Sequence, residues 1–189
     1  MLDKFQEELS PKLFHRREPF EFLIARLSAL NRSVLIVETG TARERNNWRG
    51  DGQSTLLWDW VIGKVGGEAH SIDINPEAVE IASAQAPRVN CVCADSQRFL
   101  WDFDRAREID LLYLDAYDWG ESRRANTLSE LHHVGELAAI YERLSSGCLV
   151  AVDDCHGVDR GKHVLVQEFF RRLGIEPIFQ GYVTIWSVV

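Results

Sequence analysis

Six carboxylates stand at the ends of short apolar runs, where a folded chain would present them to a ligand. They are Glu38, Asp73, Asp95, Asp115, Asp153 and Asp154. Glu38 is followed by Thr39-Gly40-Thr41, and a carboxylate beside a glycine suits a ligand that carries an ammonium group and needs close backbone approach. Asp73 at a strand end can accept from both hydroxyls of a ribose. Asp95-Ser96 can accept from an adenine amino group. Asp115, Asp153 and Asp154 would converge in one crevice, where three carboxylates repel one another unless they are protonated or metal-bound. Hard oxygen ligands of that kind favour Mg2+, Mn2+ or Ca2+. His156, two residues after Asp154, has an ordinary pKa near working pH and is the first candidate for a general base, with Asp118 the second.

These residues need elements that bring them to one edge. From Pro19 onward, Phe20, Leu23, Ile24, Leu27 and Leu30 recur at helical spacing. The chain then alternates. Strands are expected at 33–38, 69–73, 89–93, 109–114 and 148–152. Helices are expected at 54–65, from Pro76 to before Pro87, after Asp95, at 127–145 and at 161–173. Asn75-Pro76-Glu77 carries an N-cap, a proline at the first helical position and an acid in the first turn. Two further strands, 175–180 and 182–188, follow with almost no connection, so the last must run antiparallel. The expectation is an α/β fold: a Rossmann-like, doubly wound, seven-stranded sheet with the last strand reversed and helices on both faces. Ligands of such sheets bind beyond the carboxyl ends of the strands. Residues 1–32 are read as a helical extension and 33–189 as the binding domain.

Composition narrows the classes. The chain has 189 residues, 46% of them apolar and 26% charged, which is enough to bury a core and excludes intrinsic disorder. The net charge of −8 lacks the footprint of a nucleic-acid binder. No apolar run nears the ~18 residues that span a bilayer, and residues 1–7 hold no leader pattern, so a cytoplasmic protein is expected. Cys91, Cys93, Cys148 and Cys155 form no Cys-x-x-Cys pair and read as reduced thiols.

Val37-Glu38-Thr39-Gly40-Thr41, then Gly52-Gln53-Ser54-Thr55, then His70-Ser71-Ile72-Asp73-Ile74-Asn75-Pro76, with Asp95 and Leu114-Asp115 following in order, resemble the class I S-adenosylmethionine-dependent methyltransferases. The resemblance runs from about residue 33 to the C-terminus and implies that fold and cofactor. It implies that Glu38 binds the methionine ammonium and that the Gly40-Thr41 backbone and Ser54 lie against the cofactor. It also implies that Asp73 takes the ribose hydroxyls, that Asp95 with Ser96 takes the adenine, and that Asp115 borders the same ligand. Asp115, Asp153 and Asp154 further resemble the metal set of cation-dependent small-molecule and sugar O-methyltransferases and of cephalosporin hydroxylase-like proteins. That would imply Mg2+ (or Mn2+ or Ca2+) aligning a hydroxyl of a small-molecule or saccharide acceptor. Catechol-type enzymes carry a lysine where this chain has Asp118.

One departure stands out. The second glycine of the family's cofactor loop is displaced by the insert 41–49, which carries Arg43, Arg45, Trp48 and Arg49. The insert is open to two readings, a lid or anion-reading loop and a solvated excursion. Two other classes stay open: a dinucleotide-dependent oxidoreductase on a similar sheet, and a non-catalytic S-adenosylmethionine binder. The chain is short for its class, so a homo-oligomer could complete the site.

Overall fold

The computed structural model describes every residue except Gly52, Arg105 and Glu121. Its centre is a mixed sheet in the order β3-β2-β1-β4-β5-β6. The strands are β1 (Val34–Thr39), β2 (Gly67–Asp73), β3 (Val89–Cys93), β4 (Leu111–Leu114), β5 (Leu149–Val152) and β6 (Thr184–Ser187). The first five run parallel, and β6 pairs antiparallel with β5. Strands β1, β4 and β5 are buried along their whole length, as their largely apolar sequences require when both faces are covered.

Alternate residues serve two cores. Val34, Ile36, Leu111, Tyr113 and Ala151 meet α2 (Arg17–Ala29) and α3 (Ser54–Val65) through Phe20, Leu23, Leu57 and Trp58. Leu35, Val37, Leu112, Leu114 and Val150 meet α5 (Ser96–Asp102), α6 (Arg123–Ile140) and α7 (Val164–Arg172) through Leu100, Leu137 and Phe170. On that second face Phe170 stacks on Trp186 of β6 with ring centroids 5.2 Å apart. Helix α4 (Pro76–Gln85) closes the first face beside β3, and the Asn75 side chain caps it by accepting from the Glu77 N–H.

The structure corrects the strand count: among the described residues there are six strands, not seven. Residues 175–180 form no strand; Phe179 makes a single bridge to Ile185. Pro177 has no N–H to offer a ladder, and the Ile178 and Phe179 amides both turn to the one carbonyl of Ile185. Two helix starts also move. Helix α6 begins at Arg123 because Ser122 caps it, accepting from the Ala125 N–H at 3.1 Å. Helix α7 begins at Val164 because Gly161, at φ +133°, is still in a turn bridged to Cys155.

A short helix at the N-terminus, α1 (Leu2–Glu8), has too few apolar residues to show a period, yet Phe5 is fully buried. Phe5 and Leu13 belong to the same core as β1 and α3. Phe5→Ala should therefore lower global stability by ~3–5 kcal/mol, read as one earlier, still single denaturant transition. A separate early phase at unchanged main midpoint would show that residues 1–16 unfold on their own.

Candidate functional site

The parallel strands end side by side, and the backbone pairing continues one step past them. The Gly40 N–H donates to Ile72 O at 2.7 Å, Asp115 N to Thr39 O at 2.9 Å and Asp153 N to Leu114 O at 3.2 Å. Gly40 sits at φ +81°, and a Cβ there would overlap the carbonyl of Asp115, so this crossing of loops needs glycine. Above it lies a cleft lined by Gly40, Thr41, Ser54, Asp73, Asp115 and Asp118, with Arg16, Arg43 and Lys162 at its walls.

Asp73 is held in the cleft by backbone. Its Oδ2 accepts from the Thr41 N–H at 3.2 Å and its Oδ1 from the Asn75 N–H at 2.8 Å, which leaves each oxygen a further lone pair. Ile74, next to it, is 73% exposed, an apolar surface that sequence reasoning passed over. Asp95 and Ser96 lie outside the lining of the cleft. Asp95 caps α5, accepting from the Arg98 N–H, and the Ser96 hydroxyl meets His132 Nε2 at 3.1 Å. His156 also lies outside it, exposed, with its ring near Trp119 and Tyr182. Asp118 lines the cleft, where the Arg43 guanidinium donates to it at 3.0 Å.

Glu38 does not reach the cleft. It is fully buried, and both of its oxygens are used: Thr55 Oγ1 donates at 2.7 Å, Ser71 Oγ at 2.5 Å and Trp58 Nε1 at 2.8 Å. It ties β1, β2 and α3 together under the Gly40 turn, and an ammonium in the cleft would have to reach it through that turn.

The acidic trio does converge, but not as a ligand set. Lys162 Nζ, 1% exposed, sits between Asp115 and Asp154, 2.9 Å from the latter. Arg16, 5% exposed, places Nε 2.8 Å from Asp153 and an amino nitrogen 3.2 Å from Asp154. Tyr113 donates to Asp153 at 2.9 Å and Tyr182 to Asp154 at 2.5 Å. Asp153 Oδ1 takes the Asp154 N–H at 2.7 Å. Five of the six carboxylate oxygens thus already accept from protein donors, and two cations face three anions. Among the described residues no group of three or more His, Cys, Asp or Glu side chains is arranged to hold a metal ion. The residues present therefore do not fit the divalent cation that the sequence led us to expect. The repulsion argument was sound, but the neutralising charges come from Lys162 and Arg16.

The electrostatics follow from burial. Burial pushes Asp154 upward, but Lys162, Tyr182 and Arg16 outweigh it and hold its carboxyl well below the usual range. Burial, with Asp153 and Asp154 beside it, pushes Asp115 up against the pull of Lys162. Burial alone would lower Lys162; Asp115 and Asp154 raise it instead, so it is a permanent cation. Sequence reasoning missed Lys162 and Arg16. Lys162 left a faint signal, a lone lysine in the loop after the acidic pair. Arg16 left none, because it lies in a short 3-10 turn, Phe14–Arg16, with no periodicity.

The insert is hydrogen-bonded internally, while Arg43, Glu44, Arg45, Asn46 and Arg49 stay exposed to solvent. Asp51 accepts from the Arg43 and Glu44 amides at 2.7 and 3.1 Å and from Gln53 Nε2 at 2.8 Å. Arg49 lies over the Phe14 ring at 4.2 Å. Gly52, part of the second motif, lies outside the described residues.

Five parallel strands with a reversed sixth, and a cleft across their carboxyl ends, make a Rossmann-like α/β fold of the kind seen in S-adenosylmethionine-dependent methyltransferases. Solved structures show the same. A TehB-like S-adenosylmethionine-dependent methyltransferase from Corynebacterium glutamicum is 18% identical, with 88% of this chain and 86% of that one covered at a TM-score of 0.50. The N-methyltransferase NodS from Bradyrhizobium japonicum is 13% identical, covering 92% and 98% at 0.53. MycE, a methyltransferase of the mycinamycin pathway in complex with Mg and S-adenosylhomocysteine, is 15% identical, covering 90% of this chain and 49% of that one at 0.61. No family model matches the sequence, and no curated protein matches it.

Burial pushes Glu38 up to about 7, against an ordinary value of 4.5. The native state then holds this proton more tightly than the unfolded chain, so the contribution of Glu38 to stability is greatest below 4.5 and is lost as pH rises through 7. The loss from this group is roughly 3 kcal/mol above that window. Glu38→Gln should remove it: subtracting the variant's pH–stability curve from the wild type's should leave a fall confined to that range. A flat difference would mean that Glu38 keeps an ordinary carboxyl.

Proposed function

We propose that the protein is an S-adenosylmethionine-dependent methyltransferase. The observation that carries this reading is Asp73, fixed by two backbone amides at the end of β2 with lone pairs left over on a cleft of the methyltransferase fold. S-adenosylmethionine, when bound, supplies an electrophilic methyl group on a sulfonium. Asp73 accepts from the ribose hydroxyls, Ile74 gives the purine an apolar surface, and the Gly40-Thr41 backbone bears on the cofactor where no side chain intervenes. Asp115 and Asp118 border the remaining space and favour an acceptor that donates hydrogen bonds, such as a hydroxylated small molecule or saccharide. Methyl transfer to oxygen releases the hydroxyl proton, and Asp118, exposed to solvent, is placed to pass it on; His156 is a second candidate from outside the cleft lining. The acidic surface favours neither nucleic acid nor an anionic membrane as substrate, and no helix among the described residues is long and apolar enough to cross a membrane.

The charge-assisted bonds from Asp73 to a ribose are worth ~1.5–3 kcal/mol each. Asp73→Ala should weaken S-adenosylhomocysteine binding by about tenfold or more in calorimetry while the melting temperature stays near the wild-type value. Unchanged affinity would remove Asp73 from the site. A thermal shift with NAD and none with S-adenosylhomocysteine would turn the reading toward the oxidoreductase.

A further inference from the structure

We propose that the Lys162 ammonium is the resident cation of this crevice, standing where three converging carboxylates would otherwise gather a divalent ion. The cleft then takes its ligands without a metal. The methyl-transfer reading enters only in what this cation serves; whether the crevice takes a metal follows from the side chains alone.

Three observations meet here. First, Lys162 is 1% exposed and touches Asp115 and Asp154, the two members of the trio that line the cleft. Second, Asp153, the remaining member of the trio, is turned to Arg16 and Tyr113 and offers the cleft no free oxygen. Third, the burial of Lys162 makes displacement costly. A divalent ion seated between Asp115 and Asp154 would have to part a buried ammonium from both of the carboxylates it touches. Lys162 has three protons to donate and gives two to these carboxylates. It lines the cleft, and its third proton is left for a ligand oxygen there. A fixed ammonium can orient and polarise that oxygen as a point charge.

The test uses the full chain and Mn2+, whose free concentration is read by electron paramagnetic resonance. Wild type and Lys162→Arg should take up no Mn2+ saturably. Lys162→Met, which keeps the stem and removes the charge, should gain a saturable site, tighter than any wild-type uptake by about tenfold or more. Adding Asp154→Asn should abolish that site. S-adenosylhomocysteine affinity of the wild type should be the same with and without excess EDTA. Saturable Mn2+ uptake by the wild type that Asp154→Asn removes would overturn the proposal. So would a folded Lys162→Met that gains no site. If Lys162→Met does not fold, the wild-type and Lys162→Arg measurements still decide. If S-adenosylhomocysteine does not bind under any condition, the methyl-transfer reading fails while the Mn2+ result stands by itself.

Discussion

The crevice depends on Lys162 and Arg16 lying among Asp115, Asp153 and Asp154. Two like charges 4 Å apart cost ~4 kcal/mol at an effective dielectric of 20, so three carboxylates on neighbouring strand ends could not stay ionised together by themselves. The parallel sheet leaves no freedom to move them apart: β4 and β5 are hydrogen-bonded neighbours, and Asp115 and Asp153 follow them directly. The fold therefore has to import positive charge. It does so from two distant places in the chain, with Arg16 separated from Asp153 by 137 positions. The N-terminal segment is thereby bound to the site chemically, and its apolar residues Phe5 and Leu13 bind it to the core mechanically.

The same requirement explains what could be read from the sequence and what could not. The buried strands β1, β4 and β5 were legible because continuous apolar runs between turn residues have few other uses in a chain this size. The Asn75 and Asp95 caps were legible because capping is local. The loss of a seventh strand was not, since Ile178 and Phe179 look like strand residues until their amides share one acceptor. At the site, the convergence of Asp115, Asp153 and Asp154 followed from topology alone. The identity of their counter-charges did not: Lys162 left only a faint signal, and the pairing of Arg16 across 137 positions leaves no mark in spacing. Glu38 illustrates a third case. Its place at the end of β1 was legible; that Trp58, Thr55 and Ser71 hold it inside the sheet layer was not.

Floor and roof of the cleft are held by interactions of different strength. The floor pairs are buried, and breaking one leaves an uncompensated charge at a cost of ~3–5 kcal/mol. The roof is made by residues of the insert, Thr41 and Arg43 with Gly50 and Asp51 just after it, and by Ala116 and Asp118 in the loop after β4. The insert has its own rigid node in Asp51, whose side chain is 5% exposed and satisfied by backbone. Its link across the cleft is another matter. Arg43 and Asp118 are 49% and 69% exposed, and such pairs contribute ~0–1 kcal/mol. The Arg49 contact with Phe14, on a ring 46% exposed, is similarly weak. The two halves of the cleft therefore differ in rigidity. The groups that set charge and geometry stay fixed, while the contacts that close over them part at a cost comparable to thermal energy.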